Sequence, residues 1–165
     1  MHADPVDGRR RAVAIVALVV AVVVAALAAL GARQLSDTKR ASSDRAAALG
    51  AARQIAVDFA AYDYHHLNED FQRVAGESTG SFRQQYLTQS AGVQSLIVKA
   101  KAVSTAEVVS GGVVEGSGSR ATIVLALNRT VTNTSVPKGQ NDSFGLQMVM
   151  LRLHGRWLAS DVKPL

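Results

Sequence analysis

The chain has 165 residues, a formal net charge of +5 and no cysteine, and 48% of its residues are hydrophobic. This length accommodates one domain with a core plus one further segment, and the lack of cysteine excludes disulfides and thiolate metal sites. Residues 43–165 carry twelve Lys/Arg against ten Asp/Glu. This near balance argues against a nucleic-acid-binding protein, which needs a concentrated basic face.

The first predicted element is a membrane-spanning helix at residues 12–32. These 21 residues contain no charged side chain, and as a helix they would reach about 31 Å, close to the thickness of a bilayer core. A cleaved signal peptide is the alternative, but its apolar region is shorter, about 7–15 residues. Because Arg9, Arg10 and Arg11 precede the span, residues 1–11 are predicted to be a cytoplasmic tail. We therefore expect a single-pass protein of the cell membrane whose C-terminal domain is extracytoplasmic.

Helical periodicity follows a polar linker at residues 33–42. An amphipathic helix is predicted with Ser42 or Ser43 as its N-cap, and its core positions recur at three- and four-residue steps: Ala48, Ala52, Ile55, Phe59 and Tyr62. A short second helix is predicted around residues 68–74. A third helix follows Ser78–Ser81, with core positions at Phe82, Tyr86, Val93, Leu96 and Ile97.

From Ala102 the period changes to two, which is typical of strands. The first strand is predicted to break at Gly111-Gly112, and residues 113–115 continue it if a bulge intervenes. Residues 120–133 alternate apolar side chains on one face, residues 134–142 form a loop, and residues 143–153 form the next strand. His154-Gly155 forms a tight turn before a last strand that Pro164 ends. Three helices followed by four antiparallel strands predict an α+β domain at residues 43–165.

A family resemblance rests on an ordered set of short motifs. After a single N-terminal span come Tyr62-Asp63-Tyr64, Thr79-Gly80 with Phe82, Thr132-Asn133 and Gly155-Arg156-Trp157-Leu158. In this order the chain resembles the Mce-associated membrane proteins of mycobacteria and related actinobacteria. The resemblance implies a cystatin-like, ketosteroid-isomerase-like cone of helices on a curved antiparallel sheet. It also implies an accessory role in Mce systems, which import lipids or sterols across the cell envelope.

The stretch AYDYHHLNEDF, residues 61–71, contains the residue types of catalytic and metal sites. If the helix continued through it, Phe59, Tyr62, Leu67 and Phe71 would be buried, and Asp63, Asn68, Glu69 and Asp70 would face water. His65 or His66 with Glu69 would supply too few metal ligands. The favoured interpretation is structural, with no catalytic residue, metal or cofactor. The alternative is a small-molecule site formed by Tyr62, Asp63 and His66.

The favoured function is that of a non-enzymatic accessory subunit whose partners are Mce-family proteins and their permease. Its partner surface is expected to include the membrane-proximal helix and the sheet face near Thr132, Asn133, Val136 and Pro137. Two alternatives use the cone cavity. One is an isomerase-type enzyme or small-molecule binder, and the other is a lipid carrier whose cavity is lined by Phe82, Val124, Met148 and Met150.

Overall fold

The computed structural model describes residues 38–165, and within it Ser43–Leu165 form one compact unit. The predicted cytoplasmic tail, the predicted membrane span at residues 12–32 and the first part of the predicted linker lie outside the described residues. Linker residues 38–42 are helical. Within residues 38–165, no helix is both long and apolar enough to cross a membrane.

Three helices and an antiparallel sheet make up the fold. Residues 38–60 are helical and are called α1. The elements that follow are β1 Tyr62–Asp63, α2 Leu67–Gly76, α3 Gly80–Ala100, β2 Val103–Ser117, β3 Arg120–Thr132, β4 Gln140–Leu153 and β5 Arg156–Pro164. The strands are antiparallel neighbours in the order β1-β2-β3-β4-β5. The predicted α+β class, with helices packed on an antiparallel sheet, is confirmed.

The core lies between one face of the sheet and the helices. The predicted alternation of β3 is confirmed, because Ala121, Ile123, Leu125 and Leu127 are all buried. They pack in one cluster with side chains from β4, β5, α3 and α1, including Met148, Met150, Ala159, Phe82, Ala48, Ala52 and Ile55. The helical and strand periodicities of the sequence therefore converge on a single apolar core.

The first helix differs from its prediction at both ends. The chain is already helical at residue 38, so neither Ser42 nor Ser43 caps its start. The helix ends at Ala60, before Tyr62, which was the last of its predicted core positions. Ser104 Oγ donates to the Ala60 carbonyl oxygen at 2.7 Å, and Tyr62 and Asp63 pair with β2. These contacts replace helical hydrogen bonds, and they create a fifth, two-residue strand that the sequence did not predict.

The predicted core positions of α3 are correct only in its first half. Phe82 is buried, whereas Val93 and Leu96 are 44% and 64% exposed. The last turn of α3 makes a backbone hydrogen bond, from Thr134 N to the Ala100 carbonyl oxygen at 3.0 Å. The apolar residues of α3 therefore keep their helical spacing in the second half of the helix, where two of them, Val93 and Leu96, do not pack in the core.

Strand β2 runs from Val103 to Ser117 without the predicted break at Gly111-Gly112. Residues 113–115 continue the strand, which is the bulged alternative that the sequence left open. Register shifts between Val108 and Ser110 and between Val113 and Glu115 carry it past two irregularities. The loop prediction was wrong at its end, because β4 already begins at Gln140. The predicted tight turn is confirmed, since His154 and Gly155 have φ values of 49° and 80°.

Candidate functional site

Residues 61–66 connect α1 to α2 and are held by local hydrogen bonds. Asp63 Oδ1 accepts the His65 backbone N–H at 2.9 Å, and Tyr64 N donates to the Ala102 carbonyl oxygen at 3.2 Å. His66 is the residue before α2, and its carbonyl oxygen accepts the first helical N–H groups. Asp63 therefore shapes an Asx-type turn, which is a structural use of its carboxylate.

A buried carboxylate pair shares one arginine behind this turn. Asp58 and Asp70 are 8% and 4% exposed. Arg73 donates to Asp70 Oδ1 at 2.7 Å and to Asp58 Oδ1 at 3.3 Å. Gln54 donates to Asp58 Oδ2 at 2.7 Å. The hydrogen bond to Asp70 raises the pKa of Arg73, and the network ties α1 to α2.

Asp70 also connects this network to the turn. Its Oδ2 accepts the Asp63 backbone N–H at 2.9 Å, and the His66 ring Nδ1 lies 3.2 Å from Oδ1. Asp70 was predicted to face water, and that prediction was wrong. The prediction assumed a continuous helix through residue 71, whereas the chain turns at residues 61–66 and α2 points Asp70 inward.

Asp63 and His66 are brought close together, as the small-molecule hypothesis requires. The His66 Nε2 to Asp63 Oδ2 distance is 3.8 Å, and His65 Nδ1 lies 2.7 Å from Asp63 Oδ1. The backbone hydrogen bond from His65, followed by the His65 side chain, lowers the pKa of Asp63. His66 is exposed, and with His65 and Glu69 it lines an open surface depression of about 220 Å³. Tyr62 and Asp63 are not among its lining residues.

Glu77 is a titratable group that sequence reasoning missed. Burial, and then the negative charge of Asp58, raise its pKa above the ordinary value of 4.5. Its Oε2 is buried without a hydrogen-bond partner among the described residues. The only signal in the sequence was its position at the predicted end of the second helix, which does not reveal that Asp58 lies nearby.

The structure does not assemble a metal site from these groups. Within residues 38–165, no three His, Asp or Glu side chains are arranged to hold a metal ion. The side chains proposed to line a carrier cavity are also separated. Phe82, Met148 and Met150 belong to the core cluster, whereas Val124 lies next to buried Ile123 and Leu125 and so points to the opposite face of the sheet.

The predicted partner surface surrounds the β3–β4 loop. Asn133 Oδ1 accepts the backbone N–H groups of Ser135 and Val136 at 2.8 and 3.0 Å, so Asn133 shapes the loop. Pro137 is exposed, and Thr132 and Val136 are half-buried. Beside the loop, an open depression of about 390 Å³ is lined by polar side chains of β2, β3 and β4: Glu107, Asn128, Arg129, Thr130, Asn141, Asp142 and Ser143.

The polar side chains of this face are paired across strands. Thr130 Oγ1 donates to Asn141 Oδ1 at 2.8 Å, and Ser143 Oγ donates to Asn128 Oδ1 at 2.7 Å. Arg129 forms a two-pronged ion pair with Asp142, which lowers the pKa of Asp142. The face is therefore ordered before any partner binds, which reduces the entropy cost of association.

Comparisons with known proteins give a family and a fold. Residues 10–163 match the family described as "Uncharacterized protein Rv1363c/MT1408-like". The protein Rv1363c of Mycobacterium tuberculosis is 27% identical over 120 residues, which are 72% of this chain and 46% of that protein. The chain thus spans about half the length of this relative.

Three solved structures share the fold at low sequence identity. An IcmL-like type IV secretion system protein of Legionella pneumophila has a TM-score of 0.60 at 8% identity, covering 71% of this chain and 88% of its own. CagV of Helicobacter pylori, a VirB8 homolog, has a TM-score of 0.58 at 9% identity, with 72% and 96% covered. A periplasmic fragment of TraM has a TM-score of 0.58 at 14% identity, with 71% and 93% covered.

Proposed function

We propose that this chain, which belongs to the Rv1363c/MT1408-like family, is a non-enzymatic accessory subunit of a cell-envelope assembly. Residues 12–32 anchor it in the membrane, and the α+β domain lies outside the cytoplasm and binds partner subunits. The observation that carries the proposal is the fold, which the domain shares with a periplasmic fragment of TraM and with the VirB8 homolog CagV. In finer detail, we propose that the domain is a cystatin-like, ketosteroid-isomerase-like cone.

The uses of three aspartates near the α1–α2 connection support a role in binding rather than catalysis. Asp58 and Asp70 are both engaged by Arg73, and Asp63 accepts hydrogen bonds from its own turn. A general acid or base needs a free lone pair or proton aimed at a substrate. The core between helices and sheet is occupied by large side chains such as Ile123, Leu125 and Met148.

The assembly that we propose is an Mce-type importer of lipids or sterols, with Mce-family proteins and their permease as partners. This part of the proposal rests on the ordered motifs of the sequence. The solved structures named above belong to other envelope systems and share only the fold, so identifying the partner requires an experiment in cells.

Replacing the domain tests the proposal. Residues 43–165 are exchanged for an unrelated exported domain, while residues 1–42 are kept so that targeting is preserved. If the domain stabilises its partners, the abundance of Mce-family subunits and their permease falls when measured by quantitative immunoblotting. Unchanged partner abundance, with the exchanged protein present at its normal level, would contradict the accessory role.

A small-molecule-binding alternative rests on the proximity of Asp63 and His66 beside the depression formed with Glu69. In this case Asp63→Ala would abolish ligand binding or turnover while leaving the fold intact. Our proposal instead expects partner abundance in cells to follow the folded fraction of the Asp63→Ala protein, which circular dichroism measures. A folded variant that has lost its cellular function would favour the alternative.

A further inference from the structure

Two turns of the sheet meet the start of the compact unit and form one end of the domain. Arg152 Nη1 donates to Asp44 Oδ1 at 2.6 Å, and Arg45 donates to the Gly116 carbonyl oxygen at 3.3 Å. Arg152 N donates to the Ser119 carbonyl oxygen at 2.7 Å, which joins the β2–β3 turn to the end of β4. We call this the basic end, and it comprises Arg45, Arg120, Arg152, Arg156 and the His154-Gly155 turn.

The arginines of the basic end are exposed and only partly neutralised. Arg152 is paired with Asp44. In the part of the chain that the structure describes, Arg45, Arg120 and Arg156 form no direct ion pair, although the positive charge of Arg156 acts on the carboxyl group of Glu77. By contrast, Arg73 and Arg129, which lie elsewhere, are paired with aspartates. Three guanidinium groups are therefore available to an external anion.

Aliphatic side chains accompany these charges. Leu153 is 39% exposed and pairs across the β4–β5 turn with Arg156. Val114 is 69% exposed and lies at the second register shift of β2, next to Glu115. Exposed aliphatic groups beside cationic ones are typical of surfaces that lie in the headgroup region of a bilayer. Their cationic groups contact lipid phosphates while the apolar groups lie deeper.

The order of the chain makes the bilayer the nearest such surface. Ten residues separate residue 32 from Ser43, and because residues 38–42 are helical these ten residues reach at most about 25 Å. The strands run from the basic end to the opposite end, where the β3–β4 loop lies, and the 13 residues of β3 span about 43 Å at 3.3 Å per residue. The compact unit begins at Ser43, next to Asp44 and Arg45, so the chain enters this unit at the basic end.

We propose that the basic end docks on the anionic phospholipid headgroups of the membrane that holds the anchor. Docking would direct the opposite end, with Val136 and Pro137, away from the bilayer and toward partner subunits. This inference rests on the anchoring that is part of the proposed function. The ligand class is the phosphate-bearing surface of a bilayer rather than a free phosphate, because three separate guanidinium groups and two aliphatic side chains share this end.

Energy transfer between single-site labels and lipids tests the inference. The chain lacks cysteine, so Ser117→Cys labels the basic end uniquely and Ser135→Cys labels the opposite end. The full-length protein is reconstituted into vesicles of phosphatidylcholine, with or without phosphatidylglycerol, that contain a headgroup-labelled acceptor. We expect higher transfer from position 117 in anionic than in neutral vesicles, a decrease at about 1 M salt, where the Debye length is about 3 Å, and low transfer from position 135.

Charge removal provides the matched comparison. Arg120→Gln with Arg156→Gln should weaken docking about fivefold for each arginine. The control is Lys99→Gln with Lys138→Gln, which removes two exposed charges near the opposite end and should leave docking unchanged. Equal transfer from the two positions, transfer at position 117 that does not depend on lipid charge, or equal behaviour of the two double variants would overturn the inference.

Carbonate extraction of the same vesicles reports on the anchor separately. A chain that resists extraction but shows no charge-dependent transfer would overturn the docking inference and leave the proposed function intact. A chain that carbonate extracts would contradict the anchoring. In that case, flotation with anionic vesicles would still decide on docking, because loss of flotation in the double arginine variant supports it and unchanged flotation overturns it.

Discussion

Asp70 is the side chain that holds the connection between α1 and α2 together. It accepts hydrogen bonds from Arg73 and from the Asp63 backbone and lies beside His66. A carboxylate oxygen removed from such a network leaves donors without an acceptor in a place that water reaches poorly. Residues 61–66 therefore keep their conformation through a residue seven positions after Asp63.

Substitution of Asp70 tests this role. Asp70→Ala should lower the free energy of unfolding by about 2 kcal/mol, less than for a fully buried ion pair, because Arg73 is 46% exposed and retains Asp58. The control, Glu69→Ala, removes a neighbouring exposed carboxylate and should change stability by less than about 0.5 kcal/mol. Urea unfolding followed by circular dichroism measures both, and equal effects would show that Asp70 is dispensable.

Glu77 makes stability depend on pH in the opposite sense from most carboxylates. Its pKa is raised above 4.5 by burial and by Asp58, so between the unfolded and folded pKa values the folded state binds more protons than the unfolded state. The contribution of Glu77 to stability is therefore fully present below about pH 4.5 and is lost as the pH rises through the folded pKa.

This sign predicts the behaviour of Glu77→Gln. The variant should be more stable than the parent protein at pH 7, and the advantage should disappear below pH 4.5. Comparing urea unfolding of the two proteins at both pH values removes the contributions of all other titrating groups. A variant that is less stable at pH 7 would mean that ionised Glu77 makes a favourable contact.

At the scale of elements, strand β2 depends on close contact with β3. A Cβ at Gly111 would collide with Leu125 Cδ2 and would lie 2.6 Å from the Val124 carbonyl oxygen, whereas at Gly112 it would meet nothing within 4 Å. A side chain is therefore excluded sterically at Gly111 but not at Gly112. The first allows β2 to approach β3, and the second has no such steric constraint.

Paired alanine substitutions distinguish the two positions. Gly111→Ala should cost about 2 kcal/mol of stability, because the new methyl group forces Leu125 or the backbone of β3 to move. Gly112→Ala should cost less than about 0.5 kcal/mol and serves as the control. Thermal unfolding of both proteins provides the measurement, and similar losses at the two positions would contradict the close approach.

Regular periodicity in the sequence predicted the long elements well and their ends poorly. The alternation from Ala121 to Leu127 determined the core face of β3, because a half-buried strand leaves a clear pattern of period two. The end of α1 at Ala60 was missed because it depends on Ser104, which donates to Ala60 from 44 residues further along the chain. Tertiary contacts of this kind leave no local trace in the sequence.

In the candidate site, too, local proximity was predictable from the sequence and tertiary contacts were not. The proximity of Asp63 and His66 was predictable because they are three residues apart. The burial of Asp70 and its connection through Arg73 to Asp58 were not, because they require α2 to pack against α1 after a turn. Treating residues 61–71 as one continuous helix placed Asp70 toward water, whereas it is 4% exposed, so an error in one element boundary became an error about the site.

At the scale of the whole molecule, the domain has two distinct ends. The basic end carries Arg45, Arg120 and Arg156, and the opposite end carries the β3–β4 loop, which Asn133 shapes through two hydrogen bonds. In our account the first end faces the membrane and the second faces partner subunits. This division assigns different consequences to substitutions at the two ends.

Pro137→Glu tests the partner-facing end. Pro137 is exposed, so the added charge should not unfold the domain, but its burial at an interface should reduce partner recovery about tenfold. The control, Gln85→Glu, adds the same charge to an exposed position of α3 and should leave recovery unchanged. Quantitative co-purification compares the variants, and unchanged recovery with Pro137→Glu would place the partner surface elsewhere.

The central claim is that the chain is an accessory subunit of an envelope assembly, and its most direct test is to identify what binds it. The tagged, full-length protein is expressed at its native level, crosslinked mildly, extracted in detergent and analysed by mass spectrometry. Our account predicts recovery of Mce-family subunits or their permease, with crosslinks to the β3–β4 loop. Recovery of the protein alone, particularly with bound lipid, would contradict the account and favour a lipid carrier.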